Sequence, residues 1–395
     1  MVTNLIILGN NRTKESYLRR FIYCQEGVKY DSLMIEEDMR RLRTLPSVMQ
    51  VEDYIVENDS GTMLIYQVTE RYTILPIGDF GVSDDYYYFG LGLMETNAFG
   101  RGVYFLGFYR FSRQHSFQTI FKIPYLFGTK FGLHAQAYLW NTEENIFLTD
   151  DETKYSYNYF DVQLLLRYEI AHEHIVHAGF VHHYDKYTLK DTTLNAAWDK
   201  SFFYEYSGLK VTHRIEHIDN NFFMLDGWSN VVISEFRLPQ SNNKNSLYFS
   251  ESFRLYNRIG KKGNLCTQVN AGFSTANIDP YSDFTLSDYK NIRGIGYNAR
   301  RGSSVVSFNA EYRQVVFQGH YFAYQAVAFA DAGNIREYQK DIETLFHPSE
   351  FDLYGGFGLR WVFIEAHNAV LSIDYGIKST NFKSRGFVFR WGQFF

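Results

Sequence analysis

From about residue 72 to the C-terminus the chain reads as one strand after another. Each is a run of roughly ten residues or more in which apolar and polar side chains alternate. "YTILPIGDFG" opens the series, "YYYFGLGLME" and "GVYFLGFYRF" follow, and "GFVFRWGQFF" ends it, giving about sixteen strands. So many consecutive strands must close on themselves or stack, because an open sheet leaves unpaired edges. Composition chooses between these. The chain holds 36 Phe and 32 Tyr yet has 21% charged residues and a mean hydropathy of -0.30. No apolar run approaches the roughly 18 residues that mark a membrane-spanning helix. A transmembrane β-barrel reconciles these facts, with an apolar lipid face, a polar lumen and aromatic girdles at both interfaces. The alternative is a soluble all-β protein ending on an edge strand. Six prolines in 395 residues suit long uninterrupted strands. Short connections ("AHN", "GKKG") alternate with long polar ones ("NTEENIFLTDDETK", "NIREYQKDIETLFHPSE"), the asymmetry of inner turns and outer loops.

Residues 1–71 differ. "VTNLIIL" reads as a strand and "TKESYLRRFIYCQ" as a helix capped by Thr13. "DSLMIEEDMRRLRTL" reads as an amphipathic helix capped by Asp31, with Leu33, Ile35, Met39, Leu42 and Leu45 apolar. "VMQVEDYIVEN" and "GTMLIYQVTE" read as two strands around an "NDSG" turn. The order β-α-α-β-β describes a small α+β domain over 1–71, followed by a barrel over 72–395. A net charge of -5 and a pI near 6.2 give no basic surface for nucleic acid. Cys24 and Cys266 fall in different domains and are not expected to pair. No signal peptide is visible, so an exported protein of this kind is expected to have had one removed.

Chemistry-bearing motifs are scarce. "HEHIVH" (172–177) lacks the second histidine of HExxH, since position 176 is Val176. There is no GxSxG and no nucleophile–base set, so no catalytic residue, metal or cofactor is expected. "NIRGIGY" is the most specific stretch. Gly294 and Gly296 allow a tight backbone path around Arg293 after what reads as a polar surface loop, "STANIDPYSDFTLSDYK". Alternation in "SVVSFNAEYRQ" places Ser307, Asn309, Glu311 and Arg313 on the lumen face, and in "FAYQAVAFADAG" it places Asp331 inward. In "GFVFRWGQFF", Phe387, Phe389, Trp391 and Phe395 share one face and Arg390 lies on the other, toward the lumen. The first strand carries Pro76, Gly78 and Gly81, and the last carries Gly386 and Gly392. Their seam should therefore be the weakest in the barrel, unless Pro76 sits in the linker and the seam is fully paired.

These motifs together resemble the BamA/TamA superfamily of outer-membrane assembly and translocation proteins, which join periplasmic POTRA domains to a sixteen-stranded barrel. "GNNRTKESYLRR" resembles one POTRA domain, "ETNAFGRG" the turn between the second and third barrel strands, and "IRGIGY" the sixth outer loop, which the family tucks into the lumen. "NAEYRQ", "AFADAGN", "GGFGLRW" and "LSIDYG" resemble the twelfth to fifteenth strands. Ile295 departs from the pattern: an aromatic usually follows "RG", and here Tyr297 comes two places on. The resemblance implies that Arg293 pairs with Glu311 and Asp331 in a cluster with Gly294, Gly296 and Tyr297, where the bland reading has Arg293 as a solvated loop residue. It also implies that Phe395 ends a sorting signal of bacterial outer-membrane barrels, and that the seam opens sideways to template incoming strands. Expected partners are the lipid bilayer, an unfolded or extended client polypeptide and possible periplasmic or lipoprotein subunits, with the POTRA domain in the periplasm. Two other functions stay open: the membrane half of a fused patatin-like phospholipase or phosphoesterase, and a passive pore.

Overall fold

The structure, a computed structural model, describes the chain except for residues 60, 84–85, 113, 149–150, 191–199, 222, 241–243, 277–282, 298, 338–339 and 367–368. At the N-terminus, strands β1 (Val2–Leu8), β2 (Val48–Asn58) and β3 (Gly61–Glu70) form a three-stranded sheet in the order β1-β3-β2. β1 runs parallel to β3, with Leu5 opposite Leu64 and Ile7 opposite Tyr66, while β2 runs antiparallel to it. Helices α1 (Glu15–Leu18) and α2 (Ser32–Arg43) connect β1 to β2. The inward residues Leu5, Leu18, Ile35, Leu42, Leu64 and Tyr66 make a single apolar core.

Two local expectations fare differently here. Asp31 caps α2, its carboxylate accepting the Met34 N–H at 2.8 Å. Thr13 caps nothing: α1 begins after Lys14, lasts one turn and tightens into a 3₁₀ turn at Arg19–Phe21. The Thr13 hydroxyl instead accepts from Asn97 Nδ2 at 2.9 Å, across 84 residues of sequence. Leu33 also departs from the apolar stripe of α2 and is solvent-exposed. Asp38 is fully buried in its place. Its carboxylate accepts Cys24 N at 2.9 Å and Tyr66 Oη at 3.0 Å, which fixes the chain after the 3₁₀ turn. Both cysteines are buried and free, and burial beside Asp38 pushes the Cys24 thiol up to about 12.

The rest of the chain is one sixteen-stranded antiparallel sheet curled into a nearly closed barrel. Its strands are β4 (Ile74–Ser83), β5 (Tyr86–Ala98), β6 (Val103–Ser112), β7 (Gln114–Ile123), β8 (Phe131–Leu148) and β9 (Asp151–Ala171). Next come β10 (His174–Leu189), β11 (Ser201–Asn221), β12 (Met224–Pro239), β13 (Ser246–Ile259) and β14 (Gly263–Ser274). A small hairpin, β15 (Phe284–Leu286) with β16 (Arg300–Gly302), stands apart from the wall. The sheet then resumes with β17 (Ser304–Gln318), β18 (Phe322–Arg336), β19 (Asp352–Phe363), β20 (Val370–Lys378) and β21 (Arg385–Trp391). Outward side chains are apolar and exposed, among them Leu91, Leu164, Phe180, Leu209, Phe357 and Phe387. Among the described residues no helix is long and apolar enough to cross a membrane; the strands supply the lipid-facing surface.

The wall is uneven. β9 and β11 have 21 residues each, whereas β21 has seven. At about 3.4 Å per residue, these correspond to roughly 70 Å and 24 Å of strand. This corrects the expectation of a loop over "NTEENIFLTDDETK": Asn141 pairs with Asn158, and the ladder runs on to Leu148 opposite Asp151. Alternation persists through the segment, with Thr142, Glu144 and Ile146 buried, so the polar composition marks an extended wall. The expected surface loop before "NIRGIGY" differs too. Residues 277–282 of it lie outside the described residues, but Phe284, Thr285 and Leu286 are buried as β15.

The α+β unit sits across the short-turn end of the barrel. Arg20 donates to the carbonyls of Gly128 and Thr129, each at 2.8 Å. Arg43 reaches Asp219 at 2.9 Å, and Arg40 binds Ile218 O at 3.0 Å and the Glu173 carboxylate. The turn Thr96–Gly102 joins in. Gly100 and Gly102 have φ of +68° and +66°, and a Cβ on either would strike Arg12 O or Tyr17 Oη.

Candidate functional site: an arginine clasped in the barrel lumen

The segment between β15 and β16 folds back into the barrel because its backbone is satisfied by its own side chains. Asn291 accepts the Ser287 N–H at 2.9 Å and donates to Thr285 O at 2.9 Å. Ile292 packs into a cluster with Phe284, Leu286, Val305, Ile335 and Tyr354. Gly294, at φ +88°, lies against the backbone of Gly376 on β20, where a Cβ would sit 2.6 Å from the carbonyl oxygen. Gly386 on β21 faces the same contact. A side chain at Gly294 or Gly376 would hold the segment off the wall, whereas a Cβ at Gly386 would meet Gly294 at an ordinary 3.7 Å.

Arg293 is thereby delivered to the inner face with no exposed surface. Nε and Nη2 bind the two Asp331 oxygens at 2.8 and 2.9 Å, a bidentate fork, and the Arg293 N–H adds a third bond to Asp331 at 3.0 Å. Nη1 binds Glu311. Glu311 also takes Arg313 at 2.6 Å and Arg360 at 3.0 Å, and Arg360 bridges to Asp374 at 2.8 Å. Three guanidiniums and three carboxylates therefore balance in a site closed to solvent. The Phe329 ring lies 3.6 Å and the Phe394 ring 4.2 Å from the Arg293 guanidinium, capping it on aromatic faces.

A family model described as the Omp85 superfamily domain matches residues 97–395, most of the chain. The chain belongs to the Omp85 superfamily. It is accordingly an outer-membrane β-barrel. Among solved structures it is similar to CdiB from Escherichia coli, at 14% identity and a TM-score of 0.64, covering 98% of this chain and 75% of that one. CdiB from Acinetobacter baumannii matches at 14% identity and a TM-score of 0.60, covering 99% and 74%. BamA from Haemophilus ducreyi, lacking POTRA domains 1–3, matches at 15% identity and a TM-score of 0.58, covering 98% and 82%. At these identities the likeness concerns the fold. No curated protein matches by sequence.

Within this Omp85 barrel, Arg293, Gly294, Glu311 and Asp331 come together. Gly296 is nearby with φ +105° and open space around its Cα. Tyr297 stands apart from the cluster: its hydroxyl reaches Glu144 on β8 at 3.3 Å, and its ring meets Tyr289. Two partners were not singled out from sequence, Arg360 in "GGFGLRW" and Asp374 in "LSIDYG". The available signal was cost, because a charge on the lipid face near the midplane is worth about +2–4 kcal/mol against the fold.

The C-terminus breaks its own alternation. Phe387 and Phe389 point outward as expected, and Val388 is buried. At Gly392 the backbone takes φ +105°, and the chain turns inward. Phe395 therefore lies in the lumen beside Tyr256 and Cys266, its carbonyl accepting from Arg313 at 2.9 Å. This corrects the placement of Phe395 on the outer face with Trp391. Arg390 faces inward and donates to Asp288 O at 3.0 Å.

At the seam, Pro76, Gly78 and Gly81 all belong to β4, so Pro76 is in the strand and not the linker. β4 pairs with β5 and β21 with β20, and no ladder joins β4 to β21 among the described residues. The chain just before β4 is instead tied past the seam, with Tyr72 N donating to Glu365 O at 2.8 Å in the β19–β20 turn. The histidines of "HEHIVH" scatter: His172 packs on Phe21, His174 on His213 and His177 on His134.

Proposed function

We propose that the chain guides polypeptides into or across the outer membrane without chemistry of its own, residues 1–71 acting as a POTRA domain and the β4–β21 seam as the place where client strands pair. The observation that carries this reading is the seam itself. Every other pair of neighbouring wall strands shares a ladder, whereas among the described residues none joins β4 to β21. Such an edge invites an extended segment to add as a strand. Three features keep it open. Pro76 has no N–H to give, β21 is only seven residues long, and Gly392 turns the chain away from the seam. β2 lies at an edge of the α+β sheet with Tyr54, Ile55 and Val56 exposed, a second template for an incoming strand.

Reconstitution of the full chain in liposomes tests the proposal. Folding of an unfolded outer-membrane barrel substrate, followed by protease resistance, should be faster than in empty liposomes. Gly392→Val, which disfavours the inward turn, should lose most of that acceleration. Equal rates with and without the wild-type chain would overturn the reading.

A further inference from the structure

The lumen between the clasped arginine and the α+β unit contains a second chamber of about 370 Å³. It lies at the short-turn end, with Gly102 and Pro124 at its floor, and it meets a larger outer chamber at Gln163, Lys210 and Ile233. Its charged lining is entirely basic: Lys122, Arg167, Lys210 and Arg214, with the imidazoles of His134 and His177. No aspartate or glutamate lines it among the described residues. The outer chamber is the opposite case, where Arg237 meets Glu235 and Asp283, Arg301 meets Glu144, and His183 meets Asp185.

Strand register forces these cations together. Lys122 on β7 is directly opposite His134 on β8, and Arg167 on β9 is directly opposite His177 on β10. The His134 and His177 rings meet edge-to-face at 5.7 Å. Basic groups placed directly opposite one another work against the sheet when charged. Three of the four cations lean on a carboxylate outside the chamber: Arg167 on Glu169 at 3.1 Å, Lys210 on Glu235 at 3.1 Å and Arg214 on Glu216 at 3.2 Å. Lys122 has no ion pair among the described residues. Its ammonium rests 5.0 Å from the centre of the Tyr104 ring. His134 Nε2 is buried without a hydrogen-bond partner. The unpaired Lys122 ammonium and the unpartnered His134 nitrogen, opposite each other in the ladder, point to a ligand that supplies what the protein does not.

We propose that this chamber binds a compact, multivalent oxyanion of the phosphate class. Two guanidinium forks and two ammonium groups match the tetrahedral oxygens of phosphate, pyrophosphate or a phosphate ester. The volume lies in the range of small-ligand sites. A passing polypeptide fits less well, because Tyr17 packs against Gly102 beneath the floor. The chemistry is shared by free phosphates and lipid headgroups, and the inference stands independently of client handling at the seam.

The test is calorimetric titration of the full detergent-solubilised chain at constant ionic strength. Inorganic pyrophosphate and short-chain phosphatidic acid are the two probes, and sodium chloride is the reference. Saturable binding of either phosphate is expected, with Lys122→Met and Arg214→Met each weakening it about tenfold or more. Binding of pyrophosphate alone would identify a soluble ligand, and binding of phosphatidic acid would identify a headgroup; both support the site. Lys14→Met, on the exposed surface, should leave affinity unchanged. Heat-modifiable gel mobility separates lost affinity from lost fold. Absence of saturable binding by the wild-type chain, or equal affinity in properly folded Lys122→Met and Arg214→Met chains, overturns the proposal.

Discussion

The β17–β20 wall and the β7–β11 wall of the same lumen handle buried charge in opposite ways. On the first, Arg293, Arg313 and Arg360 meet Glu311, Asp331 and Asp374 one for one, without solvent. On the second, four cations and two imidazoles line a cavity with no carboxylate among its lining. A balanced dry cluster positions chain, because each member leaves an uncompensated charge when its partner is removed. In the basic chamber three of the four cations are held by carboxylates outside its lining, and Lys122, without an ion pair among the described residues, is left to act on something else. Charge inside one barrel thus divides into a part that holds the loop and a part that faces the lumen.

The contrast is broken most directly at Arg293. Arg293→Met should strand Asp331 and cost about 3–5 kcal/mol of stability, measured by urea unfolding of the liposome-embedded chain. Pairing it with Asp331→Leu should recover much of the loss. A cost near about 0–1 kcal/mol would mean that water reaches the cluster and the two walls are alike. Gly294→Val comes next. The left-handed backbone and the close approach to Gly376 should together cost about 1–3 kcal/mol and expose the segment 287–297 to protease.

A smaller effect is expected where the α+β unit docks. Burial alone would raise the Glu37 carboxyl, but the hydrogen bond and charge of Arg40, with the nearby Arg41 and His217, together hold the group below its usual range. A depressed carboxylate contributes above its unfolded pKa, and the contribution disappears as pH falls through the lower folded value. Acid should therefore weaken the Glu37–Arg40 pair within α2 and loosen the arginine that reaches the barrel, read as protease cleavage near residues 71–73, and Arg40→Ala, which removes the contacts to Ile218 and Glu173 outright, should do more at neutral pH. The smallest change belongs to Lys122→Met, expected to alter stability by no more than about 0.5 kcal/mol because no carboxylate depends on it. A loss above about 1 kcal/mol would make Lys122 structural and collapse the distinction between the walls.

What could be read from sequence followed from period two. Alternation gives the strand series and the lumen parity of Glu311, Arg313 and Arg390, since each needs only local backbone geometry and the cost of charge in lipid. Asp31 was legible for the same reason: a cap is a contact three residues long. Thr13 was not, because its partner Asn97 lies 84 residues away and competes with local capping. Tyr297 and Phe395 were misplaced because pattern reasoning carries a residue along with its neighbours. Single left-handed glycines, Gly296 and Gly392, redirect the chain in the structure.

The sequence alone therefore determined a barrel with an apolar outside and a polar inside, because side-chain period and solvent cost are local quantities. Only the tertiary structure decided which of the inward charges meet. Register across strands sets that, gathering Lys122, His134, Arg167 and His177 from four strands while leaving β4 and β21 without a shared ladder among the described residues.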